Sequence, residues 1–504
     1  MVTTCSIQYK YKYSLKHNIQ AQKMKTIVAS YNITPNQPTP KDPLWLSDSD
    51  QIGVLGHVSI LYIYRSAKEH NNNTVERMKN SLSKLLSYYY PVAGRLRLSK
   101  SGRMELDCNA KGVTLLEAET TNTFVDYGDD FSPSEFTDEL IPKLDDTQQP
   151  IEEIPLLLVQ LTRFHSGGDC EGLAIGVLLS HPLTDATGII DFMNRWAKLS
   201  RGEELDPNEI PFLDRTLLKF PDILLEKPRE VNTREISKLD TSTLQHIPTS
   251  KLLDQWKKPV VPQTPEDDGI DKPKKRSGAM LKLTSSQVER LKNKAMANNH
   301  QSSKQGSRPN YSRFEVVAAH IWRCASKALG DDLTQVRFSV NFRNRMNPPL
   351  PHNYFGNAVA NVATPEGDII SNPLGFAAHK IREASHAVTD EFVKSQLNVS
   401  RLGQVQLDNI RAFFMRQGHR VNIPYALNHN VLFLTSFTNM PVYESDFGWG
   451  KPVHFGLASR SPADRAAILP SPDGDGVIVA LFFQTALMQL FKNYFYEDMY
   501  LSLL

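Results

Sequence analysis

The chain has 504 residues, 40% of them hydrophobic and 22% charged, with 57 Lys and Arg against 55 Asp and Glu and a formal net charge of +2. That length exceeds one ordinary core and fits two domains with a cleft between them. The composition excludes wholesale disorder, and the balance of charge leaves no overall field to draw the protein to nucleic acid or a membrane.

Residues 1–23 hold Lys10, Lys12, Lys16 and Lys23 and no acid. They lack the apolar core of a secretory signal and the Arg of a transit peptide, so they read as a disordered extension, with the folded chain beginning at Met24. Met78, Leu82, Leu85 and Leu86 recur at helical spacing and predict a helix over residues 76–87, ended before Pro91. Residues 156–164 and 172–180 read as two apolar strands of a hairpin, joined by the polar loop 165–171. Ile189, Ile190, Met193, Trp196 and Leu199 then predict a helix, so strand, turn and helix follow one another around His181. From Asp206 to Arg276 the pattern dissolves into Pro and charge, which predicts a crossover linker with a solvated basic cluster at 272–276.

The second half resumes with a helix from Ser285 and another over 314–328, whose start carries the S-x-x-E form of a capping box at Ser312 and Glu315. Residues 336–342, 431–437 and 477–484 read as strands, 373–396 as one long amphipathic helix, and a last helix runs through Tyr496. Strands and helices mix without strict alternation, which makes the fold class α/β with mixed sheets. The expected divisions are an extension over 1–23, an N-terminal domain over 24–222, a linker over 223–276 and a C-terminal domain over 277–504. The longest apolar runs, 173–179 and 477–483, are far short of the ~18 residues a membrane span needs. Cys5, Cys108, Cys170 and Cys324 form no C-x-x-C pair and read as free thiols in a reducing, cytoplasmic setting.

The spacing H-x-x-x-D occurs three times, at His165 and Asp169, His181 and Asp185, and His386 and Asp390. The first pair falls in the hairpin loop, exposed to water. The third lies one turn apart on the long helix, where it makes an i,i+4 surface contact. His181 directly follows a buried strand, the kind of place where a rigid functional group is mounted. An imidazole with a pKa of about 6.5 takes a proton at neutral pH, which acyl transfer to an alcohol requires. Spacing alone leaves a structural role open for His181, and leaves Asp185 either to orient the ring or to fold the turn.

Three separated stretches carry more. His181-Pro-Leu-Thr-Asp185, Asn353-Tyr-Phe-Gly-Asn357 and Asp446-Phe-Gly-Trp-Gly450 match the H-x-x-x-D, Y-F-G-N and D-F-G-W-G signatures, and from Thr26 to Leu504 the chain resembles the plant BAHD acyltransferase family. The resemblance implies two chloramphenicol-acetyltransferase-like domains with a solvent channel at their interface. There an acyl-CoA co-substrate and a small-molecule acceptor meet at His181, the implied general base. It implies no acyl-enzyme, no metal and no permanently bound cofactor, in a monomeric acyltransferase acting on groups other than aminoacyl. Asp185 is implied to point away from the reaction and pair with Arg343 or Arg345. Asp446, Gly448 and Gly450 are implied to support the site structurally, and Thr435 to donate to the oxyanion.

Two residues depart from the pattern: Phe437 stands where members carry Trp, and Ala186 where a Gly usually follows the motif Asp, which matters only if that backbone is left-handed. The helix start at Ser312 is a candidate site for the CoA phosphates, with plain capping as the alternative. Residues 32–45 are most similar to spermidine hydroxycinnamoyl transferases, which implies hydroxycinnamoyl transfer to a polyamine amine. Such an acceptor needs carboxylates for its ammonium groups, and Glu444, Asp446 and Asp185 are the acids near the motifs. The alternatives are O-acylation of an alkaloid, terpenoid or shikimate-type alcohol, and a noncatalytic binding protein on the same fold. A carrier-fed condensation domain shares H-x-x-x-D, but D-F-G-W-G disfavours it.

Overall fold

The computed structural model describes residues 25–52, 56–65, 73–99, 103–128, 130–144, 149–166, 169–220, 275–297, 310–330, 335–365, 367–396, 431–458 and 464–500. The expected extension over 1–23 lies outside them, as do all but the last two residues of the expected linker. The described residues before Phe220 and after Lys274 belong to one compact unit.

In chain order the strands of the first half are β1 (Thr26–Ile33), β2 (Leu44–Trp45), β3 (His57–Arg65), β4 (Arg95–Leu98), β5 (Met104–Asp107), β6 (Val113–Thr120), β7 (Leu157–Ser166) and β8 (Asp169–Ser180). Those of the second half are β9 (Arg276–Leu283), β10 (Gln335–Asn341), β11 (Val359–Ala363), β12 (Val431–Ser436), β13 (His454–Leu457), β14 (Arg465–Pro470) and β15 (Val477–Gln484). One sheet runs β1-β6-β7-β8-β3-β13, a second β11-β10-β12-β14-β15-β9, and a small third β2-β5-β4. Parallel and antiparallel pairs occur in both large sheets. The mixed α/β architecture is therefore as the sequence implies.

The two halves interlock. β13 comes from the second half yet pairs antiparallel with β3, so it closes an edge of the first sheet. It is held there by aromatic residues before and within it. Phe437, Phe447, Trp449 and Phe455 are buried in one hydrophobic cluster with Tyr62, Tyr64, Trp196 and Leu179 of the first half. Each such ring removes on the order of 150–250 Å² from water, so this shared cluster is a main source of the attachment.

The predicted helices over 76–87 and after His181 are Asn73–Tyr88 and Ala186–Ser200, each burying its apolar stripe. Two local expectations need correction. His165 is on a strand rather than in the loop: β7 continues through Ser166 and His165 pairs with Cys170, while its side chain is a third exposed, with Nε2 enclosed 3.6 Å from the Glu119 carboxylate. The helix expected over 373–396 is two helices, Leu374–His386 and Asp390–Gln396. Thr389 restarts the second, its hydroxyl accepting from the N–H of Phe392. Asp390 accordingly pairs with Lys394 and accepts from the N–H of Asn347.

Cys108 and Cys324 are buried and in no disulfide; Cys5 and the side chain of Cys170 lie outside the description. No helix among the described residues is long and apolar enough to cross a membrane, and no described cluster of His, Cys, Asp and Glu is placed to hold a metal ion.

Candidate active site

β8 ends at Ser180, and His181 opens a single turn of 3-10 helix, His181–Leu183, that Pro182 starts without a missing hydrogen bond. The His181 N–H donates to the carbonyl of Gly56, at 2.8 Å, beside the start of β3. Asp185 then caps the next helix by accepting from the N–H of Gly188. Gly188 is required for space rather than for its dihedrals: a Cβ there would lie 1.9 Å from Thr184 Oγ1. Ala186, the sequence departure, is the first residue of that helix and is not among the residues with positive φ, so its methyl meets no left-handed backbone.

Asp185 points into a buried ion pair. Arg343 Nη1 and Nη2 donate to its two oxygens at 2.8 and 3.0 Å, and the side chains are 5% and 3% exposed. The N–H of Ala358 also donates to Asp185, and Arg343 bonds the carbonyls of Tyr354 and Gly356. Burial alone would raise the Asp185 carboxyl, but the Arg343 charge and these hydrogen bonds outweigh it and hold the group below the ordinary carboxylate range. Of the two arginines the sequence offered, Arg343 is the partner. Arg345 turns elsewhere, to the carbonyls of Ser385 and Val388.

A second buried pair holds the other side of the turn, and sequence reasoning missed it. Arg215 lies 2.9 Å from Asp50, the two being 1% and 0% exposed, and Arg215 also donates to the carbonyls of Pro182 and Leu183. Asp50 accepts from the N–H and side-chain amide of Asn357, and from the N–H and hydroxyl of Ser47. The Asn357 amide also donates to the carbonyl of His181 at 2.9 Å. A signal existed for part of this: Ser47-x-x-Asp50 is a short reciprocal cap, Asp50 N–H donating back to Ser47 Oγ. Nothing local marks Arg215.

The His181 ring is partly exposed overall, but its Nδ1 is shut away from solvent, and the hydrogen-bonding groups that act on the ring are its own carbonyl and the Asn357 side chain. Burial is the largest influence on its pKa and lowers it below 6.5; its own carbonyl, Asp185, Asn357 and Asp50 pull the other way without offsetting it. The ring is therefore neutral at pH 7, as a general base must be.

The other sequence-selected residues sit in separate places. Thr435 is on β12, half-buried opposite Ala467, with no hydrogen bond to His181. Phe437 is buried against Phe455 at 5.5 Å between ring centres, so the absent indole is replaced by packing. Asp446 accepts from the N–H groups of Gly448 and Gly450, whose φ values of 101° and 98° suit glycine alone. Around them Phe447 and Trp449 stack on each other and meet the edge of Tyr64, so the D-F-G-W-G loop supports the join between halves. Ser312 accepts from the N–H of Glu315, and Glu315 reaches back to the Ser312 N–H and pairs with Arg382. That end carries a carboxylate already, and the geometry gives Ser312 the capping role, with no support for a phosphate. The three acids available to a polyamine are also engaged: Asp185 by Arg343, Asp446 by its glycines, and Glu444 by Lys451 at 2.7 Å.

The structure thus shows a histidine with a neutral ring on a clamped turn, its following carboxylate turned into a buried ion pair, which is the arrangement the H-x-x-x-D resemblance implies for an acyltransferase. Comparison with known proteins places it further. Residues 23–498 match the transferase family, and the chain belongs to this family, the BAHD acyltransferases. It is 35% identical to hydroxycinnamoyl-CoA:piscidic acid hydroxycinnamoyltransferase of Actaea racemosa, over 94% of this chain and 100% of that one. It is 32% identical to shikimate O-hydroxycinnamoyltransferase of Nicotiana tabacum (92% and 98%), and 30% identical to hydroxycinnamoyl-CoA:5-hydroxyanthranilate N-hydroxycinnamoyltransferase of Avena sativa (94% and 99%). The fold is that of vinorine synthase, with a TM-score of 0.63 at 23% identity over 93% of this chain and 96% of that one. The protein is an enzyme that transfers acyl groups, with acyl-CoA as co-substrate.

Proposed function

We propose that this enzyme transfers a hydroxycinnamoyl group from CoA to a hydroxyl of an acidic small molecule, with His181 as general base. The observation that carries the chemistry is the neutral His181 ring, fixed at the end of β8 with Nδ1 enclosed, which leaves the Nε2 edge for the acceptor. His181 takes the acceptor proton as its oxygen attacks the thioester carbonyl; the tetrahedral intermediate collapses, the C–S bond breaks, and the imidazolium returns the proton to the CoA thiolate. Thr435 is the proposed donor to the oxyanion, and the two substrates are proposed to meet in a channel between the halves.

The acidic acceptor is supported by the relatives, whose names give piscidic acid, shikimate and 5-hydroxyanthranilate as acceptors. It is supported also by Asp185, the acid of the His181 turn, being taken up in its buried pair with Arg343 and so closed to ammonium groups. The polyamine reading drawn from residues 32–45 is the second one. Purified protein, supplied with hydroxycinnamoyl-CoA and a panel of hydroxy acids, neutral alcohols, aryl amines and polyamines, distinguishes them by product mass and thiol release. Ester products from hydroxy acids are expected; amides from spermidine alone would establish the polyamine reading instead. No thiol release across the panel would leave a binding protein on this fold.

A further inference from the structure

Residues paired across neighbouring strands project to the same side of a sheet and form rows. In the second large sheet Thr435 on β12 stands beside Ala467 on β14, and Ala467 beside Ala480 on β15. One row back, about 7 Å along the strands, come Arg337 on β10, Phe433 on β12, Arg465 on β14 and Phe482 on β15. The opposite side of the sheet, with Leu432, Leu434, Ala466 and Ile468, is buried, and the helix Arg313–Leu329 packs on it. Ala467 and Ala480 lie in the hydrophobic cluster shared with the first half, so the side that bears these rows turns toward the half that carries His181.

Arg465 stands out on that side. It is exposed, while its neighbours Ala467 and Phe482 are buried. Among the described residues no ion pair and no side-chain hydrogen bond holds its guanidinium. The acid beside it in the chain, Asp464, is taken by Arg276 at 2.8 Å and by Gln484 at 3.2 Å. Desolvation by the surrounding protein lowers its pKa, yet an arginine remains charged at any pH at which an enzyme works. The cation is thus crowded by protein on the sheet side and open on the other, with its fork of donors unused. Its desolvation is not offset by any partner within the described protein, and a bound anion would offset it.

Resting on the reading of an acidic hydroxyl acceptor, we infer that Arg465 is a specificity-determining residue: its guanidinium binds the acceptor's carboxylate while the acceptor's hydroxyl meets the thioester at the row of Thr435. Thr435 and Arg465 are on adjacent strands and one row apart, which puts their Cα atoms about 8 Å from each other. The arginine stem covers part of that distance, and a small hydroxy acid spans the rest between its carboxylate and its hydroxyl. A planar guanidinium matches a carboxylate through two parallel bonds, and the same charge repels an ammonium. Arg337 adds a second positive charge to the row, and the row holds no acid.

The test uses the full-length enzyme, Arg465→Ala and Arg465→Lys, with hydroxycinnamoyl-CoA and each hydroxy acid of the panel that the wild type esterifies, paired with its methyl ester. The methyl ester keeps the reacting hydroxyl and removes the negative charge. In the wild type kcat/KM for the acid should exceed that for the ester by about 10- to 100-fold, the usual worth of a hydrogen bond to a charged group. In Arg465→Ala the ratio should fall to about one, through a raised KM for the acid, and Arg465→Lys should keep part of it, having the charge without the fork. Both acceptors are read on the same protein, so any loss of folded enzyme cancels from the ratio. A wild-type ratio in Arg465→Ala would overturn the inference. So would a raised KM for the acyl-CoA with the ratio kept, which would assign Arg465 to the CoA phosphates. A wild type that esterifies no hydroxy acid would instead overturn the reading on which the inference rests.

Discussion

Asp185→Ala tests what the carboxylate of the H-x-x-x-D turn does. That carboxylate accepts two bonds from Arg343 and one each from the N–H groups of Ala358 and Gly188, in a setting at most 5% exposed. Its removal leaves the Arg343 guanidinium buried, with the carbonyls of Tyr354 and Gly356 as its remaining acceptors. Breaking a buried pair in this way costs about 3–5 kcal/mol. Unfolding of the compact unit as a whole carries about 0.9 kcal/mol/K of entropy at ~2 cal/mol/K per residue, so the melting temperature falls by about 3–6 °C. Exchanging both partners, Asp185→Leu with Arg343→Met, should recover most of that loss, since apolar groups of similar volume replace such pairs at little net cost. The pH dependence has a definite sign. Because the folded carboxyl lies below its unfolded value of about 3.9, its contribution is complete above that value and disappears as pH falls through the folded one. Calorimetry of wild type, single and double variants from pH 7 to 4 should therefore show a constant Asp185→Ala deficit. If Asp185→Ala melts like wild type yet is as inactive as His181→Ala, the carboxylate acts on the reaction and the structural assignment is wrong.

His181→Ala should retain the fold and lose about 10²- to 10⁴-fold in kcat, the usual share of a general base; since burial holds the ring below pH 6.5, the acid limb of kcat/KM should also lie below 6.5, and a limb above that value would contradict the assigned environment. Gly188→Ala places a methyl 1.9 Å from Thr184 Oγ1 and should destabilise by about 1–3 kcal/mol, partly relieved by adding Thr184→Ala, with thermal melts as the measure. His454 is held neutral by burial, its pKa pushed down to about 4, so stability is full above the unfolded value of about 6.5 and falls as pH descends from there to about 4. That slope, seen by denaturant titration, should flatten in His454→Gln; an unchanged slope would place its source elsewhere.

How much of this was legible differs between near and distant contacts. The hairpin before His181 announced itself as two apolar runs, and the helix after it as a 3.6-residue stripe, because both patterns are set by neighbours in the chain. The split at Thr389 escaped because a continuing apolar periodicity outweighed a single capping hydroxyl. The Asp185–Arg343 pair spans 158 positions, and only the family resemblance supplied it; the choice of Arg343 over Arg345 needed the backbone of the 3-10 turn Arg343–Arg345, which aims the two side chains apart. Asn357 stood in a recognised motif without a role, since its role consists of bonds to residues 307 and 176 positions away.

The turn bearing His181 is held by two buried ion pairs, Asp185 with Arg343 and Asp50 with Arg215, and these are poor devices for stability. Taking two charges out of water costs about what their attraction returns, and apolar residues of similar volume serve as well or better. What such pairs do provide is direction. A guanidinium offers several donors in a fixed plane, and Arg215 uses its fork on Asp50 and on the carbonyls of Pro182 and Leu183 together. Arg343 does the same for Asp185 and the carbonyls of Tyr354 and Gly356. An apolar core could bury this turn but could not dictate where its carbonyls point, and the His181 carbonyl is one of the groups held. Acyl transfer needs the imidazole placed to within a fraction of an ångström, so paired charges of little net energetic value are retained where backbone direction decides the rate.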